Sequence, residues 1–163
     1  MTNSVKEKLL EEVEAFYFEA MLAGYAAEGI EKGTITELPG FKTIPYRRGR
    51  FSLLDCYGVR LDSPKSAGST TIWCDDEPIW MMSYCGYFAK EVIPFLKKAL
   101  LEAYQSHQFE GGRGPRLFEE GSLTYMNKPA FNFFSEFNGF ERIIDSKSDK
   151  EVGFHKYLGM SLI

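Results

Sequence analysis

The chain has 163 residues, 44% of them hydrophobic and 26% charged, with 14 Phe, 9 Tyr and 2 Trp and a formal net charge of −4. These figures describe a single domain, residues 1–163, built on an aromatic-rich core; a disordered chain would be poor in aromatics and strongly unbalanced in charge. No apolar run approaches the ~18 residues of a membrane-spanning helix, and a pI near 5.3 speaks against direct nucleic-acid binding. The first residues carry no secretory apolar region, and Cys56, Cys74 and Cys85 lack metal-type spacing. We therefore expect a cytoplasmic protein with reduced thiols, no structural metal and no cofactor.

A helical pattern runs from about residue 4 to 28, with Ser4 as N-cap, Glu7 three residues on as in a capping box, and Gly29 and Gly33 marking its end. Leu9, Val13, Phe16, Ala20 and Ala23 form its apolar stripe. A Gly/Pro loop, 33–45, leads to strands at 50–57, 69–74 and 78–86; a loop at 62–68 joins the first two, and Asp75-Asp76-Glu77-Pro78 is a hairpin link. The second helical pattern, 89–107, has Pro94 in its first turns and the stripe Val92, Phe95, Ala99 and Ala103. The loop 108–116 leads to strands at 121–127, 139–145 and 151–159, the last two joined by the polar link 146–150.

The second half repeats the first. Val13, Phe16, Ala20, Leu22 and Tyr25 recur as Val92, Phe95, Ala99, Leu101 and Tyr104, 79 residues on. Residues 46–55 match 118–127, Gly68 and Ile72 match Gly139 and Ile143, and Asp76, Ile79, Met81, Tyr84 and Gly86 match Asp149, Val152, Phe154, Tyr157 and Gly159. The blocks keep their order, so we expect an α+β fold with pseudo-repeats 4–88 and 89–163, each helix-strand-strand-strand, that is (αβββ)×2. One antiparallel sheet with both helices packed on one face would bury both stripes.

Residues 72–86, residues 109–116 followed by 121–125, and residues 139–143 resemble the signature of an uncharacterised bacterial domain family, found alone or C-terminal to a phage-repressor-like helix-turn-helix domain. The resemblance covers the chain from about residue 10 and rests on glycines, aromatics and turn residues. It implies an effector-type half standing alone. No reaction is assigned to the family, and no catalytic residue is carried over. Residues 59–67 depart from it, being polar and Pro-containing where members are aromatic and Gly-rich.

Strand alternation splits 79–86 and 152–159 into two faces. Ile79, Met81, Ser83 and Cys85 look suited to packing under the helices. Trp80, Met82 and Tyr84, with His155 and Tyr157, form an aromatic face with polar tips, as pockets often show. We expect a ligand pocket between the repeats, walled by Trp80, Tyr84 and Tyr157, with Asp55, Asn127 and His155 as polar contacts. The same aromatics would equally serve a second small core or a homodimer contact. His155, the one histidine within a strand, suits a general base, but is more often a half-exposed sheet residue. The glycine-rich loop with Arg113 and Arg116 runs from helix to strand, the wrong order for a phosphate loop, and reads as a tight crossover. Three functions follow: a non-enzymatic sensor or effector-type domain binding a small, partly apolar molecule; a protein-interaction or immunity-type module meeting a basic partner through the acidic first helix; and an enzyme using His155.

Overall fold

The computed structural model describes residues 2–26, 29 and 31–163. Two helices, α1 (Asn3–Ala23) and α2 (Ile93–Gln105), each precede four strands: β1 (Phe41–Arg48), β2 (Phe51–Val59), β3 (Lys65–Cys74) and β4 (Glu77–Phe88), then β5 (Leu117–Glu120), β6 (Leu123–Phe133), β7 (Glu136–Asp145) and β8 (Lys150–Ser161). The result is an α+β fold on one eight-stranded antiparallel sheet of order β1-β2-β3-β4-β8-β7-β6-β5. Exchanging β1–β4 with β5–β8 leaves this order unchanged. At its centre β4 pairs with β8, and Tyr84 stands opposite Tyr157.

Each half has four strands, not the expected three. β1 begins inside the expected 33–45 loop and runs three residues past it; Pro45 reads as a breaker. It is an edge strand, where a residue without an N–H is tolerated. β5, with four residues at the other edge, leaves too little pattern to read. The first helix is shorter than expected. Thr2, not Ser4, sits at the N-cap, in extended geometry and without a side-chain cap bond. Gly24, not Gly29, ends it: a Cβ there would fall 2.9 Å from the Ala20 carbonyl oxygen. The rest of the expected helix includes residues 27 and 28, outside the described residues. Residues 90–92 form a single 3-10 turn before α2, and Pro94 occupies the helix's first turn. The tight link 75–76 has both residues at positive φ, 50° and 68°, as a two-residue hairpin turn of this twist needs.

The core gathers buried side chains from both helices and from the sheet. Phe16, Ala20, Phe95 and Ala99 are buried, as the two stripes predict. Phe16 meets Tyr46 and Phe51 at 5.8 and 5.3 Å between ring centroids, and Phe95 meets Phe118 at 5.3 Å. The face expected to be free is the buried one. Trp80 and Met82 are fully buried, Trp80 against Tyr17 of α1 at 5.2 Å, while Met81 and Cys85 are exposed on the far side. The cause is volume and polar satisfaction together. Alanines in both stripes leave room for rings beneath the helices. The polar tips of Trp80, Tyr84 and Tyr157 then find internal partners, as when the Trp80 indole N–H donates to the Phe134 carbonyl at 2.9 Å.

Candidate functional site

Alternation along the central strands sets a buried polar ladder on one sheet face. Register pairs Asp55 with Thr70, Gly86 with His155, His155 with Glu141, and Glu141 with Asn127, so these side chains share the inner face. Tyr84 donates its hydroxyl to Asp55 Oδ1 at 2.8 Å, and Thr70 donates to the same oxygen at 2.8 Å. Tyr157, opposite Tyr84, donates to Asn127 Oδ1 at 2.6 Å. Burial pushes the Asp55 carboxyl up from its usual range, against the two hydroxyl donors and the nearby Arg113 and Lys32 charges. The Tyr84 hydroxyl is raised too, by burial and by the Asp55 charge.

The loop joining α2 to β5 closes one side of this ladder. Residues 111–115 are all buried. Gly111 and Gly112 take φ of 64° and 68°, and a Cβ on Gly111 would stand 2.3 Å from the Tyr157 ring. Asn127 Nδ2 donates to the carbonyls of Glu110 and Gly114 at 2.7 and 2.8 Å, and Tyr17 donates to the Gly112 carbonyl at 2.6 Å. The loop thereby drives Arg113 onto Glu141, with Nε and Nη2 at 2.7 and 2.6 Å from Oε1. Tyr125 donates to Oε2 at 2.5 Å. Burial alone would weaken the charged guanidinium, but Glu141 and the surrounding tyrosines hold Arg113 well above its ordinary value.

His155 sits between this ion pair and open space. Its ring stacks on Tyr84 at 5.6 Å and meets Phe88 edge-on at 4.6 Å. Nε2 lies 3.3 Å from Ser66 Oγ; Nδ1 is buried with no hydrogen-bond partner and lies 3.6 Å from Glu141 Oε1. Burial lowers its pKa to about 4, outweighing the pull of Glu141, so the imidazole is neutral near pH 7.

A narrow cavity of about 50 Å³ opens above Asp55, Tyr84, Arg113 and His155. Through Tyr25, Tyr57, Ser66 and His155 it adjoins a cleft of about 320 Å³, within the size range of small-molecule sites. Lys32 lies over the rings of Tyr25 and Tyr57 at 5.5 and 5.2 Å and donates to the Tyr57 hydroxyl at 2.5 Å. A larger hollow, about 580 Å³, lies across the 59–66 segment among Phe41, Ala67 and Cys85, where no buried titratable group converges. Among the described residues, no three His, Cys, Asp or Glu side chains converge as metal ligands.

Of the expected site residues, Asp55, Tyr84 and His155 line the narrow cavity. Asn127 and Tyr157 belong to the same ladder but spend their polar atoms on each other and on the loop. Trp80 is sealed in the core with its N–H satisfied, so it offers no wall to a ligand. The sequence reading missed Glu141, Arg113, Ser66 and the aromatic pair Tyr25 and Tyr57. The available signal was parity: Glu141 lies two residues from Gly139 and Ile143 on the face of a strand that must be inside. Arg113, flanked by glycines, carries a charge on a segment with nothing to hold it at a surface.

The fold and this site together define an α+β domain in which a buried polar ladder floors a lateral cleft. The chain belongs to the family described as "Domain of unknown function (DUF5680)", whose model matches residues 61–160. That span contains Ser66, Tyr84, Arg113, Glu141 and His155; Tyr25, Lys32 and Asp55 lie before it. No curated protein and no solved structure matches the chain. Among the described residues, no helix is long and apolar enough to cross a membrane.

Proposed function

We propose that this is a cytoplasmic, non-enzymatic domain that binds a small, partly apolar molecule in the cleft above Asp55, Tyr84 and His155. One observation carries the reading: a cleft of about 320 Å³ walled by Tyr25 and Tyr57 ends on a buried histidine whose Nε2 faces Ser66. Apolar walls with a few fixed polar groups at the end are what a small-molecule site requires. In this reading the protein is an internal duplication, with both helices on the inner sheet face. The two-fold strand order and the matched pairs Tyr84–Asp55 and Tyr157–Asn127 support it. The half that carries Arg113 is plugged by its own loop, and the half that carries Asp55 is open. The domain then serves as an effector-type unit of the kind attached to helix-turn-helix regulators.

Catalysis has less support. Ser66, His155 and Glu141 stand in the order of a nucleophile relay, but the links are not made. The Nδ1 to Oε1 distance of 3.6 Å exceeds a hydrogen bond. Glu141 already gives Oε1 to Arg113 and Oε2 to Tyr125. A histidine held to a pKa of about 4 is a weak base.

A fragment screen followed by amide chemical shifts tests the proposal. Binding should move Ser66, Gly86 and His155 together and be lost in Ser66→Phe, which fills the cleft. Saturable binders that leave those three amides unmoved would refute it.

A further inference from the structure

The chain is acidic overall, with 23 Asp and Glu against 19 Lys and Arg. The cleft is the reverse. Lys32, Lys42, Arg60, Lys65 and Lys90 all line it, and among the described residues no carboxylate does. A random share of this surface would bring in at least as many acids as bases. Arg60 is occupied, holding Asp62 through both nitrogens at 2.9 and 2.8 Å. Among the described residues Lys32, Lys42, Lys65 and Lys90 have no carboxylate within 4.0 Å. Four ammonium groups around one concavity repel one another, and an anion relieves that repulsion.

We propose that the ligand of this cleft is a soluble organic phosphate, its phosphoryl group on the lysine rim and its apolar body between Tyr25 and Tyr57. This rests on the cleft being the binding site. The rim chemistry selects the anion. A carboxylate is best met by the planar fork of an arginine, and the one arginine here is already engaged. Lysines are mobile point charges with three donors each, and several of them suit a dianion with three terminal oxygens. The walls select the body. Half-buried Tyr25 and Ile93, with the edges of the buried Tyr57 and Phe88, add ring and aliphatic surface that inorganic phosphate alone would not cover. The floor limits the far end. About 50 Å³ above Asp55 and His155 admits a hydroxyl or amino group and little more, and Asp55 Oδ1 is already filled by two hydroxyls.

Calorimetric titration with four probes decides between the possibilities: phenyl phosphate, benzoate, benzyl alcohol and inorganic phosphate. Phenyl phosphate should saturate one site and bind at least tenfold more tightly than each of the others. The Lys42→Gln/Lys90→Gln double variant should weaken it about tenfold and narrow its lead over benzoate, while circular dichroism shows the fold intact. Benzyl alcohol or benzoate binding as well as phenyl phosphate, with loss in Ser66→Phe, would keep the cleft and overturn the phosphate. Inorganic phosphate equalling phenyl phosphate would overturn the aromatic-body part and reduce the rim to a plain anion site. Failure of all four to bind would overturn both this inference and the binding function on which it rests.

Discussion

Replacing Arg113 by Met should be strongly destabilising. Its guanidinium makes two contacts to Glu141 Oε1, at 2.7 and 2.6 Å, and Glu141 has no solvent exposure. Methionine keeps the volume of the stem but leaves a carboxylate buried without a counter-charge. Breaking one side of a buried pair costs about 3–5 kcal/mol, most of it the stranded charge. For a chain of this size that corresponds to a fall in Tm of roughly 6–20 °C. The double variant Arg113→Met/Glu141→Met removes both charges, so it should recover roughly half of the loss or more. What remains comes from the Tyr125 hydroxyl, which loses its acceptor. Urea unfolding of the three proteins, followed by far-UV circular dichroism, measures this directly. A single variant within about 1 kcal/mol of the parent, or a double variant worse than the single, would show that the pair is not the anchor of the 109–116 loop.

Phe95→Ala should cost about 3–5 kcal/mol, since the ring is buried against Phe118; an unchanged denaturation midpoint would place the α2 stripe in solvent. His155 gives a pH signature. Burial lowers its folded pKa to about 4 from an ordinary 6.5, so between those values the unfolded chain binds the extra proton and stability rises with pH. The span amounts to about 3 kcal/mol; Asp55, whose carboxyl is raised, acts with the opposite sign at the acid end, and Glu141 and Arg113 are the other charges facing the ring. Stability measured from pH 4 to 6.5 should climb in the parent and much less in His155→Gln, and equal slopes would contradict a buried neutral imidazole. Gly111→Ala should destabilise by about 2–4 kcal/mol, from positive φ plus a clash with Tyr157, whereas Gly121→Ala, at the same φ of 64° but in open space, should cost only about 1 kcal/mol. Equal shifts in thermal melts of the two would mean that the loop does not press on the tyrosine.

What the chain revealed before folding follows from the range of each interaction. The α1 and α2 stripes, the 75–76 turn and the strands β2, β4, β7 and β8 are set by period and by turn chemistry, both local. β1 was hidden because Pro45 looks like a breaker, and only its place at the sheet edge makes it tolerable. The sheet faces were inverted for a related reason. Trp80, Tyr84 and Tyr157 carry polar tips that suggest a surface, and their partners, the carbonyl of Phe134, Asp55 and Asn127, come from 54, 29 and 30 residues away. Asp55, Tyr84 and His155 were nonetheless legible as one group, because parity and the repeat place them together whichever face is inside. Arg113 and Glu141 were not. Parity puts Glu141 on the face of Gly139 and Ile143, but it does not say that a glycine-rich crossover 28 residues earlier will turn inward and bring Arg113 onto it.

The central claim is that the cleft beside His155 is where a small molecule binds. A crystal structure of the protein with phenyl phosphate tests it most directly. The ring should lie against Tyr25 and Tyr57, with its unsubstituted edge toward His155 and the phosphoryl group among Lys32, Lys42, Lys65 and Lys90. A ligand seated instead in the outer hollow between Phe41 and Cys85, with the cleft closed by protein side chains, would contradict it.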